Sequence, residues 1–243
     1  MIYKTILITG SAKRIGADLA RGLHTRGHNI IIHYNQSEHE ARELASELNN
    51  IHHESVMAIQ ADLINIESCE ELIYKAYEFK QQLDVIINNA AVFYPTPVAE
   101  LDEITWNKML HVNLRAPLFL AKIASKYLTD SSGSIINITD IHGDRPLKNY
   151  LAYSVSKAGL VMLTKSLAKE MGPSIRVNGI SPGAIVWPVK MPDKEKQEIL
   201  AKTVFGRSGE GKDILDAVVY LIENNEYMTG QIMTIDGGRT LYS

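Results

Sequence analysis

Short apolar runs rich in Ile and Val alternate along the chain with longer stretches in which apolar residues recur at helical spacing. Thr5–Ile8, Asn29–Tyr34, Val56–Gln60, Asp84–Ile87, Ser134–Ile138, Ile175–Ile180 and Ile232–Ile235 read as strands. Several are apolar on both faces, the pattern of parallel strands covered by helices on each side. Ile15–Arg26, Glu38–Asn49, Ile66–Gln81, Thr105–Tyr127, Ser154–Met171 and Asp213–Glu223 read as helices. The alternation runs through residues 1–243 without a linker, an internal repeat or a low-complexity segment. It predicts one doubly wound α/β domain: a mostly parallel seven-stranded sheet, helices on both faces, right-handed crossovers.

One stretch resists this scheme. Residues 182–212 follow a strand and carry Pro182, Pro188, Pro192 and four glycines around a short charged helix, Asp193–Lys202. Connections beyond about 12–15 residues are usually functional or disordered. Ligands of open α/β sheets bind outside the carboxyl ends of the strands, so this segment reads as a substrate lid.

Composition narrows the class further. With 45% apolar and 22% charged residues, the chain is neither disordered nor collagen-like nor membrane-spanning. Its net charge of −3 lacks the basic excess expected of a nucleic-acid or membrane-surface protein. Cys69 is the single cysteine, which excludes a disulfide framework and a cysteine-based metal cage; no histidine has metal-ligand spacing either. No targeting signal stands at Met1–Gly10, so the expectation is a cytoplasmic protein.

The first strand runs into Thr9-Gly10-Ser11-Ala12-Lys13-Arg14-Ile15-Gly16 and then a helix. Gly10 suits a tight turn and Gly16 close helix–strand packing, while the helix amino terminus presents N–H groups to a pyrophosphate. That is the phosphate loop of a Rossmann-type dinucleotide site. The second strand ends in His33-Tyr34-Asn35-Gln36-Ser37, with no acid before Glu38 to accept from a ribose 2′-hydroxyl. Lys13 and Arg14 stand nearby, and together these features favour NADPH over NADH, because a 2′-phosphate is dianionic. Asp62 and Leu63 after the third strand, and Asn88-Asn89-Ala90-Ala91 after the fourth, lie at the same sheet edge. Asp62 suits an adenine amino group, and the backbone around Asn89 and Ala90 suits the nucleoside.

Tyr153 and Lys157 are four residues apart, hence on one helix face. A phenol with a pKa near 10 is a poor proton donor at neutrality; a neighbouring ammonium is expected to bring it down.

With these motifs in this order, the chain resembles the short-chain dehydrogenase/reductase family along nearly its whole length. The resemblance rests on the TGSAKRIG loop, Asp62, NNAA, Asn113, YSVSK, Pro182-Gly183 and the closing Asp236-Gly237-Gly238. It implies Tyr153 as proton donor, Lys157 binding the nicotinamide ribose, and Asn113 holding a water in a proton relay. Two departures, Arg14 in place of a loop glycine and Asp140 in place of the catalytic serine, are similar to the pteridine reductase branch. Gln36 stands where protozoan members often have Arg. The resemblance further implies a pterin stacked on Phe93 and hydrogen-bonded by Arg14, with Asp140 and Tyr153 at the reacting atoms, and a homotetramer built through Thr105–Tyr127 and Ser154–Met171. Trp187 in the lid is a further substrate-contact candidate.

The Asp140 substitution also has a physical reading. A serine donates to a ketone oxygen becoming an alkoxide, whereas an ionised carboxylate would repel it. A pterin offers ring nitrogens and amino groups, for which an acceptor or proton-carrying carboxyl is useful. The expected activity is NADPH-dependent reduction of a dihydropterin, such as dihydrobiopterin or dihydromonapterin, to the tetrahydropterin. A ketone or 3-oxoacyl-thioester reductase is the alternative enzyme, and a nucleotide-sensing regulator without chemistry is the alternative outside enzymology.

Overall fold

The computed structural model describes residues 3–187 and 191–242. Its sheet has the order β3-β2-β1-β4-β5-β6-β7, with β1 Thr5–Ile8, β2 Asn29–Tyr34, β3 Val56–Gln60, β4 Val85–Asn88, β5 Ser134–Ile138, β6 Arg176–Pro182 and β7 Ile232–Ile235. Every adjacent pair is parallel, where the sequence led us to expect a mostly parallel sheet. The strand order turns at the neighbours β1 and β4, in register through Ile8 and Ile87. Outside their carboxyl ends lies the crevice such a reversal opens.

Although the strands read as unbroken apolar runs, alternate residues serve two separate cores. Ile6 and Ile8 of β1, with Val85 and Ile87 of β4, pack against α1 (Arg14–Thr25), α2 (Glu38–Asn49) and α8 (Gly211–Glu223). Leu7 and Ile86 point the other way, toward α3 (Ile66–Glu78), α5 (Ala116–Asp130) and α6 (Leu151–Met171).

The helix expected over Thr105–Tyr127 is two helices. The first, α4 (Glu103–Leu110), is joined to α5 by a widened π-helical turn, His111–Arg115. Pro117 explains the break: lacking an N–H, it cannot close the usual bond back to Asn113. The Ala116 N–H instead reaches five residues back, to the His111 carbonyl. Helix α6 begins one turn earlier than the Ser154 start expected, so Tyr153 and Lys157 both lie within it. The short lid helix α7 is Asp193–Leu200, and residues 188–190 of the lid candidate lie outside the described residues.

Candidate active site

A crevice of about 860 Å³ opens over the carboxyl ends of β1, β2, β4, β5 and β6. Its floor is the glycine loop. Gly10 adopts a left-handed φ of +62°, and a side chain there would meet the Ala90 Cα at 2.9 Å. Arg14 adopts a left-handed φ of +55°, so this chain makes with an arginine the bend that a loop glycine would make without strain. No side chain caps the amino terminus of α1, and its first turn holds no acid. The arrangement suits an anion held by backbone N–H groups, which fits the pyrophosphate of a dinucleotide.

The loop is braced from both sides. The Asn89 amide donates to the carbonyls of Thr9 (2.8 Å) and Gly10 (3.1 Å). The N–H groups of Asn89 and Ala90 donate to the Thr9 hydroxyl. From β2, His33 accepts from the Gly10 N–H at 2.9 Å through Nδ1, so Nε2 carries the proton and donates to the Ala61 carbonyl at 3.1 Å. Burial pushes the His33 pKa down to about 4, keeping the ring neutral. His33 is thus a strut between the glycine loop and the end of β3. Only the last strand residues and their succession pointed to it as a cofactor contact; its bracing role had no sequence signal.

Tyr34, Asn35, Gln36 and Ser37 line the crevice beyond His33, as do Asp62 and Leu63. The Asp62 carboxylate accepts from the Ile64 N–H, which fixes its turn. Lys13 and Ile15 also line the crevice, but Lys13 is ion-paired with Glu40 of α2 at 2.5 Å. Sequence reasoning considered Glu38 at this helix start and missed Glu40; Glu38 instead accepts from Arg42.

At the opposite end stand Asp140, Tyr153 and Lys157. Asp140 follows β5, and its Oδ1 accepts from the His142 N–H at 2.8 Å, which orients the carboxylate. Its Oδ2 accepts from the Tyr153 hydroxyl at 2.7 Å. The Lys157 ammonium is buried and donates to the Ile138 carbonyl at 2.8 Å; burial brings its pKa down to about 8. The depressed Tyr153 pKa expected from the sequence is not what this geometry produces. Burial raises it well above 10, and the Asp140 charge raises it further. The phenol is held protonated, as a weaker acid than a free tyrosine.

Phe93, from the loop after β4, lies edge-on to Tyr153 with ring centroids 4.7 Å apart and stacks on Tyr150 at 4.6 Å. The residue is 43% exposed and lines the crevice, to which it offers a flat apolar surface. Tyr150 was missed by sequence reasoning; its position one turn ahead of Tyr153 was the available signal. Asn113, expected to hold a water, is buried and does not line the crevice. Its amide clamps Val92, accepting from the N–H at 2.8 Å and donating to the carbonyl at 3.0 Å, and donates to Ser156. It thereby ties the Phe93 loop to α6.

The roof comes from the segment after β6. Pro182, Gly183 and Trp187 line the crevice, and the Gly183 N–H donates to the Ile235 carbonyl of β7. The Arg14 guanidinium donates to the Val186 carbonyl at 2.9 Å, joining roof to floor. Arg239, after Asp236-Gly237-Gly238, lines the same space and was not anticipated. Among the described residues no cluster of His, Cys, Asp or Glu is arranged to hold a metal ion, and no helix is long and apolar enough to cross a membrane.

Comparison with known proteins places this geometry. A family model described as Enoyl-(Acyl carrier protein) reductase matches residues 10–240. Pteridine reductase 1 of Leishmania tarentolae is 32% identical, the match covering 97% of this chain and 96% of that protein. A 3beta-hydroxysteroid dehydrogenase 1 from Eggerthella lenta is also 32% identical, over 98% of this chain and 94% of its own. So is a trans-4-hydroxycyclohexanecarboxylate dehydrogenase from Sinomonas cyclohexanicum, over 98% and 93%.

Proposed function

Since the chain belongs to the short-chain dehydrogenase/reductase family of nicotinamide-dependent oxidoreductases, we propose that it is an NADPH-dependent reductase of dihydropterins. The observation that carries this reading is the bond from the Tyr153 hydroxyl to Asp140, a carboxylate where a ketone reductase needs a donor. The Phe93 platform beside it supports a flat heteroaromatic substrate.

The glycine loop and the amino terminus of α1 would hold the pyrophosphate, with Lys13 toward a 2′-phosphate, Asp62, Leu63, Asn89 and Ala90 along the nucleoside, and Lys157, Pro182 and Gly183 around the nicotinamide half. The dinucleotide supplies a hydride when bound. Tyr153, protonated across the neutral range, gives its proton to the pterin ring nitrogen beside the carbon being reduced. Asp140, in contact with the Tyr153 oxygen, takes up a proton from water and returns it to the phenolate. The Lys157 ammonium offsets the charge while the phenolate exists. Asn113 acts by fixing Val92, and so Phe93, against α6. Arg14 and Trp187 enclose the pterin from the floor and roof.

An NADPH-oxidation assay across dihydrobiopterin, dihydromonapterin, simple cyclic ketones and a 3-oxoacyl thioester tests the reading. Faster oxidation with a dihydropterin than with any carbonyl substrate is expected; oxidation no faster than the substrate-free rate overturns it. The two dehydrogenase relatives support a second reading, a ketone reductase. It predicts that Asp140→Ser raises turnover of ketones already reduced by the wild type. The proposal includes a cytoplasmic homotetramer. Exposed Leu118 on α5 and Val155 and Met162 on α6 support those helices as its interface.

A further inference from the structure

The adenosine end of the crevice carries a charge arrangement that the sequence motif alone conceals. Lys13 lies in the glycine loop and lines the crevice. Its ammonium does not face the crevice unaccompanied, because Glu40 reaches it across from the first turn of α2 at 2.5 Å. The Lys13 hydrogen bond holds the Glu40 carboxyl below the usual carboxylate range. The nearby residues after β2, Asn35, Gln36 and Ser37, are uncharged. Glu38 is turned to Arg42 on its own helix, 2.8 Å away, and Arg14 is engaged by the Val186 carbonyl. The pair Lys13–Glu40 is therefore a self-neutralising ion pair at this rim, beside Arg14, which keeps its charge against a neutral carbonyl, and the Asp62 carboxylate, which also lines the crevice. Both side chains are about half exposed, at 52% and 40%, so the contact is cheap to exchange.

We propose that Glu40 is a cofactor-selecting residue, which competes with the ribose 2′-phosphate for Lys13 and so moderates the preference for NADPH over NADH. A dianionic 2′-phosphate drawn to Lys13 has to displace a carboxylate and then remain beside it. A free 2′-hydroxyl meets no such opposition, and the Glu40 carboxylate can accept from it. The inference rests on the crevice being a dinucleotide site and refines the cofactor preference proposed above; it does not depend on the pterin.

Binding without turnover provides the test. Calorimetric titration of the wild type, Glu40→Gln and Lys13→Gln with NADP⁺, NAD⁺ and the fragment adenosine 2′,5′-bisphosphate gives three affinities for each protein. Glu40→Gln is expected to tighten NADP⁺ and the bisphosphate by roughly three- to tenfold, the range of a half-exposed charge interaction, with NAD⁺ unchanged or weaker. Lys13→Gln is expected to weaken the two phosphorylated ligands and to leave NAD⁺ within about twofold. Unchanged or weaker NADP⁺ binding by Glu40→Gln overturns the inference while leaving the reductase reading intact. Binding of none of the three ligands by the wild type removes the dinucleotide site, and the inference with it.

Discussion

On the proposed reading three side chains divide the proton chemistry between them. Tyr153 is kept protonated by burial and by Asp140, Asp140 is the one group among the described residues bonded to its hydroxyl, and the buried Lys157 would carry the compensating charge. Tyr153→Phe is therefore expected to lower kcat by at least about a hundredfold, the usual worth of a positioned acid, while the Kd for the dinucleotide moves little. Steady-state rates and a binding titration on the same preparation check this; retained turnover sinks the assignment. Asp140→Asn keeps the shape and one acceptor but carries no proton. It is expected to cost about 10- to 100-fold in kcat, and a rate equal to wild type would remove Asp140 from the proton path. The sequence pointed to Tyr153 and Lys157 by their spacing and to Asp140 by the family resemblance, and the structure brings the three together. The sequence did not make the sign of the Tyr153 shift legible, since that depends on how deeply the phenol is buried and which charge touches it.

Elements carry the second level of the design. The strut from β2 through His33 to the glycine loop and to Ala61 works only with a neutral ring, which needs Nδ1 free to accept from Gly10. The His33 pKa in the fold, about 4, lies below its unfolded value of about 6.5. Between those values the unfolded chain binds a proton that the folded chain refuses, so stability falls as pH drops through this window. From about pH 7 to about pH 5 the loss assigned to His33 is roughly 2 kcal/mol. His24 and His28 are shifted the same way by burial and add to it. Gln can both donate and accept, so His33→Gln is expected to lose less stability over that range, as read by urea unfolding at the two pH values. An equal loss in both proteins would show that the ring is not the acid-sensitive strut. The split of the predicted Thr105–Tyr127 helix belongs to this level too. Its cue, Pro117, stood in the sequence, but an apolar period continuing through the proline masked the break.

The arrangement of the sheet was legible in outline because continuous Ile and Val runs have few other uses. Which layer each residue would enter was not, since an unbroken apolar run does not show its own alternation. Ile86 and Ile87 are neighbours in β4 and fully buried, yet they belong to opposite cores. Truncation of either to Ala is expected to cost about 2–5 kcal/mol by urea denaturation. The double variant should approach the sum, because the two cavities open on different sides of the sheet. A marked departure from additivity would mean that the layers are coupled through it. The site depends on this architecture, since parallel strands bring the ends of β1, β2, β4, β5 and β6 to one rim. Lids and charge pairs added there, such as Arg14 with Val186 and Lys13 with Glu40, leave no periodic trace.

The 4.7 Å edge-to-face contact between Phe93 and Tyr153 has one more consequence. A flat substrate laid on Phe93 can offer Tyr153 only one of its edges, and it turns one face toward the crevice and the other toward the phenylalanine. On the proposed reading that contact fixes which edge is protonated and which side of the ring plane the hydride reaches, so the hand of the product reports which way up the substrate lies on Phe93. Two aromatic rings, one catalytic and one inert, would then set the plane of the reaction, and the product's chirality would record the substrate's orientation within it.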